Sequence, residues 1–332
     1  MPTIPPLRWF DAATVEAAMP DLEERLRLAE VTMTAFARPG AAQLPPKTAI
    51  HPRAEASFVH AMPAHLRADD PSGDLVGMKW VAGYATNTAL GLPGISAVVI
   101  VNDPATGFPV AILDGGPITA QRTAAVSGLA IRRFGPAPAG RHDVALIGAG
   151  VQGRSHLPIF AHLLPGATLH LFDPGAGRAE ALAGVARSMG GFGEVIVHDT
   201  PRAAIEGADV ILTAASFGPK GDSQVMTNAW LRPDATVIPI DYATYCAAEV
   251  ARDARLFLVD NREQYLYNRD NGNFDGYPDA QATIGEAILA GTARPAGRVV
   301  VTHLGVGLAD LVFSDAIVKA AVARGLGVEL PR

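Results

Sequence analysis

The feature that most constrains the fold is a ten-residue run, Val144-Ala145-Leu146-Ile147-Gly148-Ala149-Gly150-Val151-Gln152-Gly153, an apolar stretch closing in Gly148-x-Gly150-x-x-Gly153. A second apolar run, Thr168 to Phe172, ends at Asp173. A short buried strand, a glycine turn, a helix start and an acid after the next strand are what a bound dinucleotide requires. The glycines leave room for the pyrophosphate against bare backbone, amides at the helix N-terminus receive its charge, and the carboxylate takes the adenosine ribose. Gly148, Gly150, Val151, Gln152 and Gly153 are therefore the expected cofactor-binding loop, with Asp173 beyond them. An acid there favours NAD, because a carboxylate repels a 2′-phosphate; Arg178, close by, leaves NADP possible. The competing readings are a strand-to-helix turn without a ligand and, for Asp173, a helix cap.

A chain of 332 residues exceeds the usual size of one hydrophobic core, so two domains are expected. Net charge of −6 without a basic run argues against a nucleic-acid partner. The single cysteine, Cys246, excludes an intrachain disulfide and a cysteine-rich metal site, and is read as a buried, inert thiol in a reducing compartment. The first residues lack the apolar core of a signal peptide, and no apolar stretch of about 18 residues marks a membrane span. A cytoplasmic location with no membrane partner is the expectation.

Asp11 can cap a helix over about 12–37, where Val15, Met19, Leu22, Leu26 and Val31 recur at helical spacing before Arg38-Pro39-Gly40 stops it. Short strands follow, at Ser57 to Met62, Val76 to Trp80, Ile95 to Val101 and Pro109 to Leu113, in a mixed or antiparallel sheet. Asn102 to Gly107 carries turn chemistry, so the last two strands form a hairpin. A helix runs from Thr119 to about Phe134, and Gly135 to Gly140 is a linker. Further strands are expected at Glu194 to His198, Val210 to Thr213, Thr236 to Ile240, Leu256 to Val259 and Val299 to Thr302, with helical crossovers between them. The final helix, about Leu308 to Arg324, is amphipathic enough to return to the first domain. The fold class is thus α/β: a doubly wound Rossmann nucleotide domain over 135–307, and a discontinuous α+β domain over 1–134 completed by 308–332.

A nucleotide fold leaves the substrate to the other domain, where four cations stand in apolar, proline-rich or glycine-rich surroundings. Lys79 lies in Val-Gly-Met-Lys-Trp-Val, Arg122 one turn into a helix of small and apolar residues, Arg53 just before a strand, and Lys47 after two prolines. Several cations with no matching run of acids suggest an anion site, and a small carboxylate held bidentately by arginine is the economical choice. Each could instead be a surface charge or an ordinary ion pair. Asp241 follows the strand Thr236 to Ile240, at the carboxyl end where doubly wound sheets put ligands, and a carboxylate there can exchange protons with an amine or imine. A helix cap is its structural alternative. The nine histidines lack ligand spacing for a metal site; His51, His60 and His65 cluster only in sequence, and His303 stands alone after a strand.

These residues, in this order, resemble the ornithine cyclodeaminase and mu-crystallin family from about Pro45 to Gly327. The segments that carry the likeness are Leu44-Pro45-Pro46-Lys47, His60-Ala61-Met62-Pro63-Ala64, Gly77-Met78-Lys79, Asn102 to Pro109, Asp114-Gly115-Gly116-x-Ile118-Thr119-x-x-Arg122-Thr123-Ala124-Ala125, and Gly148 to Gly153. The resemblance implies a homodimer whose first domain binds substrate and pairs subunits, while a Rossmann domain holds NAD(P). It implies that Arg53, Lys79 and Arg122 grip a substrate carboxylate, with Lys79 also serving proton transfer, and that Asp241 is the acid/base residue. His303-Leu304-Gly305-Val306-Gly307-x-x-Asp310 looks like the family's loop near the nicotinamide, which makes Val306 a cofactor residue, and Ser216 begins a second such loop. The implied activity is an amino-acid dehydrogenase or ketimine reductase acting at Cα. The alternatives are an ornithine cyclodeaminase with no net redox change and a non-catalytic binding protein. The run Pro239-Ile240-Asp241-Tyr242-Ala243-Thr244-Tyr245-Cys246 departs from the ornithine enzyme's Gly-Gly-Asp-Cys-Pro-Gly-Lys, which implies a bulkier, more aromatic rim and puts ornithine specificity in doubt. Asn261 to Asp275 is read either as pocket lining or as a polar surface loop.

Overall fold

The computed structural model describes residues 4–53, 56–215 and 224–332. It divides into two compact units, one made of Met1–Arg122 with Gly305–Arg332 and the other of Thr123–Leu304. The division falls at 122/123 and 304/305 rather than at the expected 134/135 and 307/308, so the helix Gly115–Phe134 is shared between units.

In the second unit all strand pairs among the described residues are parallel, in the order Glu194–Val197, Thr168–Phe172, Asp143–Ile147, Val210–Thr213, Thr236–Pro239, Val299–Thr302, Leu256–Val259 and Ala282–Thr283. Strands buried on both faces read as continuous apolar runs, which is why Asp143–Ile147 and Val210–Thr213 stand out in the sequence. The order reverses between those two strands: the chain first builds outward through Thr168–Phe172, then returns to add Val210–Thr213 on the other side. Doubly wound sheets bind ligands at such a switch point, outside the carboxyl ends of the strands. The two-residue strand Ala282–Thr283 was too short to register in the sequence.

The segment Asn261 to Asp275 begins with a helix rather than a polar surface loop. Asn261 caps the helix Arg262–Asp270 by accepting the Gln264 N–H, and Tyr265 and Phe274 from this segment are buried. With Phe257 and Tyr277 they form an edge-to-face aromatic cluster, ring centroids 5.2 to 6.0 Å apart. Cys246 is buried beside it, and burial pushes its thiol up to about 12, as an inert core cysteine requires.

The first unit is a mixed sheet ordered Val328–Leu330, Leu7–Phe10, Pro109–Asp114, Ile95–Asn102, Leu75–Tyr84, Ser57–Leu66 and Ala42–Gln43, with Thr48–Ile50 also pairing to Ser57–Leu66. Leu7–Phe10 runs parallel to Pro109–Asp114, and the expected hairpin joins Ile95–Asn102 to Pro109–Asp114. The helix expected over 12–37 is two, Ala12–Ala17 and Leu22–Ala37. Pro20 cannot continue the first, and Asp21 recaps the second by accepting the Glu24 N–H at 2.9 Å. The helix Gly115–Phe134 starts one turn before Thr119.

The last helix, Gly307–Ala323, packs on strands Ser57–Leu66 and Leu75–Tyr84 and on Leu22–Ala37. Its first two turns are buried on every side, so the return to the first unit is carried by an apolar helix rather than an amphipathic one. Along Leu75–Tyr84 the side chains alternate: Gly77, Lys79, Val81 and Gly83 are buried, whereas Val76, Met78, Trp80 and Ala82 are not. Lys79 is therefore no edge-strand residue; it lies on a central strand, facing inward.

Candidate functional site

Each unit contributes a cluster of its own. In the first, Asp310 stands in the opening turn of the helix Gly307–Ala323, where the helix dipole favours a carboxylate. Lys79 Nζ lies 2.8 Å from its Oδ2, and Arg122 Nε donates to its Oδ1 at 3.0 Å. All three side chains are buried. The expected cations thus have an acid after all, which sequence reading missed because Asp310 is 188 residues from Arg122. Burial alone would raise the Asp310 carboxyl, but Arg122 and Lys79 together hold it below the usual range. Burial drives Lys79 down to about 7, Arg122 adds to that, and Asp310 opposes it.

Among the described residues two cations face one anion, which leaves this buried cluster with a net positive charge whenever Lys79 is protonated. An isolated buried charge is so unfavourable that such a site is completed by an anion. Gly305, at φ +79°, brings its backbone against the guanidinium: a Cβ there would lie 2.4 Å from Arg122 Nη1. Only glycine suits both the left-handed backbone and the contact. Lys47 is half-buried, and its charge adds to the lowering of both Lys79 and His60. Burial carries His60 to about 4, so it is neutral at ordinary pH, and its ring stacks on Phe58 at 4.5 Å. Arg53 is exposed, its backbone N–H donating to Ser57 Oγ, and the structure does not bring it to the Lys79–Asp310–Arg122 cluster.

In the second unit the glycine turn has the steric form a pyrophosphate needs. Gly148 has φ +106°, and a Cβ on it would lie 2.4 Å from the Ala214 carbonyl oxygen. At Gly153 a Cβ would lie 2.1 Å from the Gly148 oxygen, whereas at Gly150 it would meet nothing within 4 Å. The first and third glycines are fixed by protein packing; the second faces open space, where a ligand can approach the backbone. Gly150 is also the N-cap of the helix Val151–Leu163 and offers no side chain to the first N–H groups, so these remain for an anion. Val151 is exposed and Gln152 half-buried at that helix start.

Asp173 does not cap a helix; the N-cap of Arg178–Met189 is Gly177. Its Oδ2 accepts the Ala149 N–H and its Oδ1 the Gly175 N–H, both at 2.7 Å, which ties the acid to the glycine loop. Beside it a recess of about 320 Å³ is lined by Asp173, Gly175, Glu180, His198 and Asp199. Three carboxylates there disfavour a 2′-phosphate.

Asp241 follows the strand Thr236–Pro239 and is buried. Its Oδ2 accepts the Ala215 N–H at 3.2 Å, and it caps no helix. The next two residues are both in the left-handed region, Tyr242 at φ 56° and Ala243 at φ 59°, a costly conformation away from glycine. They are held there by the Tyr242 hydroxyl, which donates to the Leu304 oxygen at 3.1 Å, and by Thr244, whose N–H and hydroxyl both donate to the Asp241 oxygen. Burial pushes the Asp241 carboxyl up to about 7, and the Ala215 N–H opposes that only in part. A carboxyl poised there can take up and release a proton near neutral pH. Ser216 lies outside the described residues. Val306 is buried at the start of the last helix, in the first unit.

Comparison with known proteins matches residues 12–309 to the ornithine cyclodeaminase/mu-crystallin family. Nodulation efficiency protein NfeD of Rhizobium meliloti is 30% identical over 98% of both chains. The mouse ketimine reductase mu-crystallin is 29% identical over 84% of this chain and 85% of its own. Among solved structures, Thermococcus litoralis Δ(1)-pyrroline-2-carboxylate reductase, in complex with NADH and L-proline, superposes with a TM-score of 0.84 at 22% identity, covering 98% of this chain and 100% of that one.

Proposed function

Because the chain belongs to the ornithine cyclodeaminase/mu-crystallin family, we propose that it is an NAD-dependent oxidoreductase of small α-amino or cyclic imino acids. The observation that carries this reading is the pairing of chemistries: a buried, net-positive Lys79–Asp310–Arg122 cluster suited to a carboxylate, and a buried acid raised to about 7 in the unit with the dinucleotide turn. The mouse relative is named a ketimine reductase, and the Thermococcus litoralis neighbour reduces a cyclic imino acid, as its name states, in a complex with NADH and L-proline.

Gly148, Gly150, Gly153 and Asp173 would hold NAD(H), which would supply or take up the hydride exchanged with the substrate's Cα. Arg122 and Lys79 hold the carboxylate, with Lys47 adding positive potential. Asp310 keeps the two buried cations oriented. Asp241 takes the proton released when an amine becomes an imine, and returns it in the reverse direction.

An amino-acid and cyclic-imine screen tests this, read as nicotinamide absorbance against product. One NADH formed or consumed per turnover is expected. Sustained turnover with a catalytic trace of NAD and ammonia release would replace the reading with a cyclodeaminase. For the cofactor, Asp173→Ser raises kcat/KM for NADP relative to NAD by about tenfold, the value of one lost charge repulsion of roughly 1.4 kcal/mol. An unchanged ratio would remove Asp173 from the ribose.

The chain acts as a homodimer paired through the first unit. Met78 and Trp80 lie opposite Ile100 and Val98 across the sheet, on the face away from the last helix, and none of the four is buried. Trp80 is 44% exposed, which is a large apolar surface to leave in water. Sedimentation velocity gives twice the chain mass; a monomer at micromolar concentration contradicts the pairing. Among the described residues no helix is long and apolar enough to cross a membrane.

A further inference from the structure

A line of polar side chains crosses three neighbouring strands at one end of the second unit's sheet and finishes in the recess beside Asp173. His170 Nε2 is 3.0 Å from Asp143 Oδ1, and His170 Nδ1 is 2.9 Å from His198 Nε2. His170 pairs with Ala145 on one side and Ile196 on the other, and His198, two residues beyond Ile196, keeps the same face of the sheet. The ladder holds it there: the His198 N–H donates to the Leu171 oxygen at 3.0 Å. His198 lines the recess together with Asp173, Gly175, Glu180 and Asp199. Its ring is half-buried, and among the described residues its Nδ1 has no hydrogen-bond partner and keeps contact with solvent.

The direction of both bonds follows from the acid, because a carboxylate can only accept. His170 Nε2 therefore carries a proton and donates it to Asp143. In the uncharged pair the second hydrogen lies between the rings, since two lone pairs cannot share a 2.9 Å contact. It belongs to His198 Nε2, because His170 already holds its one proton. Three of the four ring nitrogens are thus engaged, and an extra proton taken up by the pair binds at the fourth, His198 Nδ1. Burial lowers His198 from the ordinary histidine range, His170 adds to that, and Asp199 opposes it. Further charge comes from Asp173 and, on the helix Arg178–Met189, from Glu180, from Arg178 against Gly175 and from Arg187, which donates to the Val195 oxygen. The helix Pro201–Ile205, packed on the strand of His170, brings Arg202, which Glu206 neutralises at 2.6 Å.

We propose that His198, held by Asp143 and His170 as its Nε2–H tautomer, reads the adenine ring of the bound dinucleotide, its Nδ1 accepting a hydrogen bond from the 6-amino group. This rests on the cofactor reading above. Asp173, tied to the glycine loop, takes the adenosine ribose, so the base on that ribose enters the adjoining recess. The amino group is the one N–H donor on the edge of adenine; its ring nitrogens accept. A bare Nδ1 therefore selects the amino group, whereas hypoxanthine, with an oxygen at that position, would meet it lone pair to lone pair. Protonation of Nδ1 reverses the preference. Asp143 and His170 are positioning residues; they act through His198.

Reduced nicotinamide hypoxanthine dinucleotide, compared with NADH by fluorescence titration, supplies the test. At pH 8 NADH is expected to bind about tenfold more tightly, the cost of a hydrogen bond lost between two acceptors. His198→Phe brings the ratio to within about twofold, chiefly by weakening NADH. As pH is lowered through the His198 titration, followed by the 15N shifts of histidine-labelled protein, the wild-type ratio falls toward one. Long-range proton–nitrogen correlation at pH 8, with signals assigned by their loss in His170→Phe and His198→Phe, shows both rings as Nε2–H forms. His198 found as the Nδ1–H form in the wild type overturns the relay, whether or not the variants fold. Equal binding of the two dinucleotides at pH 8, a ratio that ignores the His198 titration, or one that persists in His198→Phe overturns the reading of the base. Failure to bind either dinucleotide defeats the cofactor reading and the base reading with it, while the tautomers still decide the relay.

Discussion

Asp241→Asn lowers kcat by about a thousandfold, within the range of a lost general acid/base, while NADH affinity stays unchanged. Asparagine preserves the size of the side chain and can still accept the Ala215 N–H, but it cannot exchange a proton. The pH behaviour isolates the cause. In the folded protein the carboxyl is raised from 3.8 to about 7 by burial, so between those values the native state holds a proton that the unfolded chain has lost. Stability therefore falls as pH rises across this window and is flat above it. At about 1.4 kcal/mol per unit, the difference is on the order of 4 kcal/mol. Denaturation of Asp241→Asn followed from pH 4 to 8 loses that slope. Lys79 also lies at about 7, so the variant's rate profile, compared with that of the wild type, is what separates the two groups. Turnover within a factor of two of wild type would take Asp241 out of the mechanism.

Asp310→Asn destabilises the first unit by about 3–5 kcal/mol, because it removes the carboxylate that Lys79 and Arg122 share and leaves two buried like charges. At roughly 2–4 °C per kcal/mol, the melting transition drops by about 6–20 °C. Two further measurements show that the charge is responsible. Raising pH from 6 to 9 lets Lys79 discharge and narrows the gap between variant and wild type. A saturating carboxylate ligand restores part of the lost stability, since it binds the folded state alone. The double variant Lys79→Met/Asp310→Asn is less destabilised than Asp310→Asn by itself. A variant that melts with the wild type would mean that the cluster carries no uncompensated charge.

Much of the architecture is written in short-range signals. The run Val144 to Gly153 encodes strand, turn and helix start within ten residues, whereas the inward face of Lys79 could not be read from its strand, where the apolar Val76, Met78 and Trp80 lie on the opposite, unburied face. Local signals also misled where a nearby residue overrode the period: Pro20 and Asp21 split the helix expected over 12–37. The partner of Lys79 and Arg122 was invisible for a different reason. Asp310 shows no local anomaly, since an acid in the first turn of a helix is ordinary, and pairing across 188 residues leaves no periodicity to detect. The left-handed backbone at Tyr242 and Ala243 was equally hidden, because neither residue type favours it; the hydrogen bonds that impose it come from the fold.

The division of the chain has a consequence for the order in which it is made. Thr123–Leu304 is contiguous and complete as soon as its last residue leaves the ribosome, whereas the first unit, begun earliest, needs Gly305–Arg332 for both a sheet strand and its central helix. Arg122 emerges 188 residues before the acid that neutralises it. At about 5–20 residues per second, the interval is roughly 10–40 s. Throughout that time the nascent N-terminal segment carries cations it cannot bury and an apolar sheet face with no helix to cover it. The half of the molecule synthesised first is thus the half that finishes folding last.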